Sequence, residues 1–103
     1  MITAIVTFQL PDSITLDEAR RAFLSSAPKY QGVTGLIRKY YMLSEDGRTA
    51  GGIYLWTGRE AAEAMYTESW RAFVREKYGA DPSVIYMASP VVVDNLSAEI
   101  IES

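Results

Sequence analysis

The sequence predicts a single α+β domain with elements in the order β-α-β-β-α-β. Three observations carry that prediction. Apolar residues alternate with period two over residues 2–10, as in a half-buried strand, and further strand-like runs follow over 36–43, 49–56 and 84–93. Two stretches beginning Thr-x-x-Glu, at Thr15 and Thr57, open helical patterns. The pair Asp46-Gly47 sits between the two middle strands, where a hairpin turn is needed. Right-handed crossovers then place both helical regions on one face of a four-stranded antiparallel sheet.

In the first strand Ile2, Ala4, Val6, Phe8 and Leu10 share one face, and Pro11-Asp12 ends it. Thr15 and Glu18 form a capping box: the hydroxyl accepts from the Glu18 N–H and the carboxylate reaches back. Leu16, Ala19, Phe23 and Ala27 follow at helical spacing until Pro28 closes or bends the helix. Residues 32–35 form a turn. The second strand, 36–43, is rich in aromatic and β-branched residues. Gly51-Gly52 at the head of the third strand marks a bulge, or a close approach by another backbone or a ligand. Thr57 and Glu60 form a second capping box for a helical region reaching Tyr78, with Gly79 as its terminator. The apolar line of that region changes phase between Ala61, Ala64, Met65 and Trp70, Phe73, Val74, which predicts a break near Thr67 with Thr67 as a new cap. The last strand spans 84–93, Pro90 restricting it to an edge or a bend. From about residue 95 a C-terminal arm follows, read as short helix over 96–103.

Composition narrows the function. A chain of 103 residues, 49% hydrophobic, suits one folded domain over 1–103. It has no run of about 18 apolar residues and no leader-like N-terminus, so the expectation is a cytoplasmic protein with no membrane association. The net charge is −3 and basic residues are scattered among acids, so nucleic acid is not an expected partner. With no His and no Cys, the chain has no Ser-His-Asp triad, thiolate nucleophile, iron–sulfur ligand or imidazole metal ligand of its own. Chemistry must use carboxylates, Lys, Arg, Tyr, Trp, amides or a borrowed group.

The second strand poses a physical problem. Ile37, Tyr41 and Leu43 alternate with Leu36, Tyr40 and Met42, so both of its faces are apolar while the helices cover only one. A bare face of that kind exceeds what soluble monomers usually expose. A second copy packing sheet against sheet would cover it, which predicts a homodimer.

Gly35-Leu36-Ile37-Arg38-Lys39-Tyr40-Tyr41, then Gly51-Gly52-Ile53-Tyr54-Leu55-Trp56 and a helix start at Glu60-Ala61-Ala62, resemble the YdhR-type putative monooxygenases. The similarity runs from about residue 2 to residue 95, and Pro90 to Asn95 also looks like the ending of such chains. The resemblance implies a ferredoxin-like homodimer of the dimeric α+β barrel superfamily, with a cavity between sheet and helices. Members of that superfamily that depend on a His are excluded by composition. Those remaining are cofactor-independent oxygenases of electron-rich phenolic substrates, in which Trp, Tyr and Asn orient substrate and oxygen. The reading is therefore an oxidoreductase acting on a small hydrophobic or aromatic ligand without a bound cofactor or metal. The alternative is a non-catalytic binding or interaction module of the same fold.

Lys39, Tyr54 and Trp56 are the candidate catalytic residues, with Tyr41, Tyr66 and Trp70 shaping a substrate pocket. Lys39 lies mid-strand, where its ammonium must find water, an anion or a carboxylate. Facing a cavity it would hold a phenolate or act as a base; otherwise it snorkels to solvent. Tyr54 and Trp56 share one face of the third strand and offer donors on apolar rings, which suits an aromatic substrate or plain interface packing. A two-residue hairpin loop puts Lys39 opposite Tyr54 and Ile37 opposite Trp56, leaving Ile53 and Leu55 toward the helices. A three-residue loop puts Arg38 opposite Tyr54 instead. Tyr66 and Trp70, four apart, meet on one helix face as pocket roof or as core. Asn95 is either an amide that orients oxygen or a turn residue.

Overall fold

The computed structural model describes residues 1–103, and its sheet is built around strand β1 (Ile2–Gln9). Helix α1 (Leu16–Tyr30) follows, then β2 (Leu36–Leu43), β3 (Thr49–Trp56), α2 (Arg59–Met65), α3 (Glu68–Tyr78) and β4 (Ser83–Ala88). The strands lie in the order β2-β3-β1-β4, every neighbouring pair antiparallel, which is the predicted ferredoxin-like arrangement. No helix is long and apolar enough to cross a membrane.

Local chemistry sets the helix ends. The Thr15 capping box forms in both directions, at 3.0 and 3.1 Å. Helix α1 runs through Pro28 for half a turn, because the missing N–H falls in the last turn and the Gln31 N–H caps the Pro28 carbonyl. Thr67 caps α3 by accepting from the Trp70 N–H at 3.2 Å, and Gly79 ends it in the left-handed region at φ 75°. The break near Thr67 is therefore real. The second capping box is not: Gly58, not Thr57, is the N-cap of α2, and no side chain caps it. Thr57 instead continues the strand pairing, donating its N–H to the Gly35 carbonyl at 2.8 Å.

Register decides the faces. Partners directly across an antiparallel ladder share a face, so the buried Ala4, Val6 and Phe8 carry Tyr54, Gly52 and Ala50 toward the helices with them. Tyr54 and Trp56 are thus core residues under the helices, while Ile53 and Leu55 point to the open face, the reverse of the predicted assignment. Lys39 does stand opposite Tyr54, although the hairpin closes through a four-residue loop over 45–48. A bulge between Leu36 and Arg38 makes Leu36, not Ile37, the partner of Trp56. Leu16 lies off the buried line of α1, which runs through Ala19, Phe23, Ser26 and Tyr30.

The C-terminal region also differs. The predicted strand over 84–93 is two strands, because Pro90 has no N–H for the ladder and β4 stops at Ala88. Its second half, β5 (Val91–Asp94), pairs with β6 (Glu99–Glu102), where a helical arm was expected. The Asp94 carboxylate accepts from the Leu96 and Ser97 N–H groups, turning the chain back so that Ile100 and Ile101 extend as β-branched strand residues. An Arg38–Asp94 ion pair at 3.1 Å links this hairpin to β2.

Candidate functional site

Strand pairing brings Lys39 (β2), Tyr41 (β2), Gly52 (β3) and Tyr54 (β3) side by side on the covered face. Gly52 has no Cβ, and a Cβ there would lie 3.1 Å from a Tyr54 ring carbon and 3.2 Å from the Lys39 Cε. That vacancy lets the Lys39 stem lie flat against the sheet. Gly51 serves a different end: its Cβ would run into the Val6 carbonyl, so it permits close approach of β1.

The Lys39 ammonium consequently ends among aromatic faces. It lies 3.4 Å from the centre of the Tyr30 ring, 3.7 Å from that of Tyr41 and 4.7 Å from that of Tyr54. No carboxylate pairs with it. Desolvation, reinforced by the Lys29 charge, pulls its pKa from 10.5 down to about 7. The ring faces act in the opposite sense, since their quadrupoles favour the ammonium. Burial pushes the Tyr54, Tyr66 and Tyr41 hydroxyls above the ordinary phenol range, so these stay neutral donors.

Hydrogen bonds hold the rings in place. Tyr41 and Ser26 share a hydroxyl–hydroxyl bond of 2.8 Å, and Phe23 stacks on Tyr41 with ring centres 4.7 Å apart. The Trp70 indole N–H donates to the Tyr30 hydroxyl at 3.1 Å, and the Trp56 indole N–H to the Tyr66 hydroxyl at 3.0 Å. Tyr66 meets Trp70 edge to face at 4.7 Å and Tyr54 at 5.3 Å. Every buried polar side-chain atom is paired.

Two spaces adjoin Lys39. Inside, a cavity of about 20 Å³ is bounded by Lys39, Tyr30, Tyr41, Tyr54, Trp70 and Phe73 among others. It has room for about one water-sized molecule. Outside, a groove of about 280 Å³ runs between the end of α1 and β2, lined by Ala27, Tyr30, Gln31, Leu36, Lys39 and Tyr41 among others. Lys39, Tyr30 and Tyr41 belong to both and form the wall between them. The interior space expected between sheet and helices is thus largely filled by aromatic side chains, and the larger space lies outside that wall.

All six sequence candidates fall in one aromatic cluster. Lys39, Tyr41, Tyr54 and Trp70 border the cavity; Trp56 and Tyr66 stand behind Tyr54, with Trp56 fully buried. Asn95 lies in the exposed turn after β5. Sequence reasoning missed Tyr30, Ser26 and Lys29, whereas Gly52 belongs to the Gly51-Gly52 pair it marked for a close approach. The spacing Ala19, Phe23, Ser26, Tyr30 is helical and would have found two of them had the helix been extended past Pro28.

The family model described as Putative mono-oxygenase ydhR matches residues 5–82. No curated protein matches the chain. Among solved structures the fold is shared with a monooxygenase from the gene ActVA-Orf6 of Streptomyces coelicolor, in complex with nanaomycin D. The two are 20% identical over 85% of this chain and 86% of that one, with a TM-score of 0.64. SnoaB, a cofactor-independent oxygenase from Streptomyces nogalater, is 14% identical over 85% of this chain and 91% of its own, at a TM-score of 0.62. An antibiotic biosynthesis monooxygenase is 16% identical over 86% of this chain and 98% of its own, at 0.65. At these identities the likeness shows a common fold.

Proposed function

This chain belongs to the family described as Putative mono-oxygenase ydhR, and from that premise we propose that it oxygenates a small, hydrophobic aromatic substrate without a tightly bound cofactor. The observation that carries the reading is the Lys39 ammonium, held under Tyr30, Tyr41 and Tyr54 with no acid beside it, at the wall of the outer groove. A half-buried, partly desolvated cation without a counter-ion favours an incoming anion.

A phenol seated in the groove gives its proton to the Lys39 amine, which is neutral in part near pH 7. The phenolate then stays beside the new ammonium. Its electron-rich ring is what dioxygen oxidises: a phenol becomes a quinone as one oxygen atom bonds to the ring and the other leaves as water, the ring supplying all the electrons. Tyr30 and Tyr41, the latter anchored by Ser26, flank the ring in the groove, and Tyr54 supports them from the inner side. Tyr66 and Trp70 back them, and Trp56 positions Tyr66 through its indole N–H.

The same reading pairs two copies through the open sheet face. Tyr40, Ile85 and Met87 there are each about half exposed, and Ile5, Ile53 and Leu55 lie between them. Isolated exposed apolar side chains are ordinary, but a contiguous row of this size on one sheet face is typical of an interface.

One observation favours a second reading, a non-catalytic binding module: the inner cavity of about 20 Å³ admits no aromatic ring as it stands. Oxygen-electrode measurements with a panel of phenols and quinols separate the two. Oxygen uptake by the wild type, lost in Lys39→Met, supports oxygenation. Uptake no greater than that of the variant across the panel leaves only binding.

A further inference from the structure

We propose that Lys39 is a covalent capture site, its side-chain amine condensing with the aldehyde or ketone carbonyl of an aromatic ligand seated in the groove between α1 and β2. The inference uses the same site as the oxygenase reading but none of its oxygen chemistry.

The chain has three lysines, and their settings differ. Lys29 and Lys77 are exposed; Lys77 donates to the Ser25 hydroxyl at 2.7 Å, and Lys29 rests 3.6 Å over the Phe73 ring. Lys39 alone lies against three rings and borders both the inner cavity and the outer groove. Neither space has an Asp or Glu in its wall. The titratable and charged groups around it are Lys29 and Tyr30 from α1, Arg38 and Tyr41 from β2, Tyr54 from β3 and Tyr78 from α3. These are cations and neutral phenols. Desolvation and the Lys29 charge both favour the free amine, the form that attacks carbonyl carbon. Near neutral pH such a lysine therefore holds a larger share of neutral amine than an exposed one.

The step balances without a co-reactant. The Nζ lone pair bonds to the carbonyl carbon, and an amine proton passes to the carbonyl oxygen to give a carbinolamine. Loss of that hydroxyl with the second amine proton releases one water and leaves the imine. The Tyr41 ring, anchored through its hydroxyl by Ser26, lies against the amine and fixes its position.

The test is reductive trapping under argon: wild-type protein, 4-hydroxybenzaldehyde and sodium cyanoborohydride near pH 7, with peptide mapping by mass spectrometry. Lys39 should be labelled at least about tenfold faster than Lys29, Lys77 or the α-amine. Lys29→Gln, with an unchanged melting curve, should slow Lys39 labelling severalfold, because the neighbouring positive charge is gone. Equal labelling of the amines, or an unlabelled Lys39, overturns the proposal. Excluding oxygen keeps the two readings apart. Oxygen uptake without labelling defeats capture alone, whereas labelling without uptake supports capture and defeats the oxygenase.

Discussion

The Lys39 ammonium lies 3.4 Å from the centre of the Tyr30 ring, and no carboxylate pairs with it. Tyr30 is not free to move away, since it accepts the Trp70 indole N–H at 3.1 Å. The cation is therefore held by a ring that is itself held by the core. A charge stabilised by ring faces alone stays available to an incoming anion or carbonyl.

Anion affinity is the first consequence. Lys39→Met keeps the stem and removes the charge. It should weaken binding of a phenolic acid by about 1.5–3 kcal/mol, the range for hydrogen bonds to charged groups, with the fold intact. Calorimetric titration of both proteins with one phenolic acid, beside their melting curves, checks this; equal affinities would reduce Lys39 to a packing residue.

The same residue links stability to pH. Its pKa falls from 10.5 to about 7 on folding, so between those values the unfolded chain binds more protons than the folded one. Stability from this site must therefore rise as pH increases from about 7 towards 10.5, and the full penalty applies below 7. Relative to Lys39→Met, the wild type should gain on the order of 2 kcal/mol across that window, after discounting for the ring faces and partial hydration. Urea midpoints for both proteins at the two ends of the window measure it, and parallel pH dependences would contradict it.

Tyr66→Phe tests the inner layer. It removes the acceptor of the fully buried Trp56 indole N–H and little else. An orphaned buried donor costs about 1–3 kcal/mol, so the urea midpoint should drop accordingly while the far-ultraviolet spectrum holds. An unchanged midpoint would mean the indole finds another partner.

Gly52→Ala tests how the cage is built. The added methyl would sit 3.1 Å from the Tyr40 carbonyl oxygen, which as backbone cannot yield, so the Tyr54 ring and Lys39 stem must shift instead. The expected cost is about 1–3 kcal/mol, the usual range for overpacking. A Lys39 side-chain resonance moved out of its ring-shielded position would accompany it, and an unmoved resonance counts against the vacancy argument.

Ile85→Glu tests the open face. Ile85 is 51% exposed and pairs with Ile5 across the sheet, so a carboxylate there is tolerated by one copy but not by two packed face to face. Sedimentation equilibrium at micromolar concentration should show a wild-type dimer and a variant monomer. A wild-type monomer ends the dimer proposal.

Several features of the site are legible in the order of residues alone. Thr15 with Glu18, Thr67, and Gly79 declare their helix ends, because capping is a contact between residues a few positions apart. Lys39 stands out because a lysine between Ile37 and Tyr41 has few ordinary places to go. The Thr57 box misleads: its residue pattern is correct, but Thr57 is already committed to pairing with Gly35. The C-terminal arm misleads in the same way, since Asp94 turns it back onto β5.

By itself the sequence determined what short-range chemistry and periodicity can state: the element order as far as β4, most helix ends, the two-sided second strand and the unusual mid-strand place of Lys39. The tertiary structure decided which way Tyr54 and Trp56 point, because parity along β3 follows from pairing with Ala4 and Ile2, some fifty residues away. It also decided that Tyr30 closes over Lys39 and that only about 20 Å³ is left inside. A cavity is the space remaining after side chains from separate elements have packed, and no local stretch of sequence holds that difference.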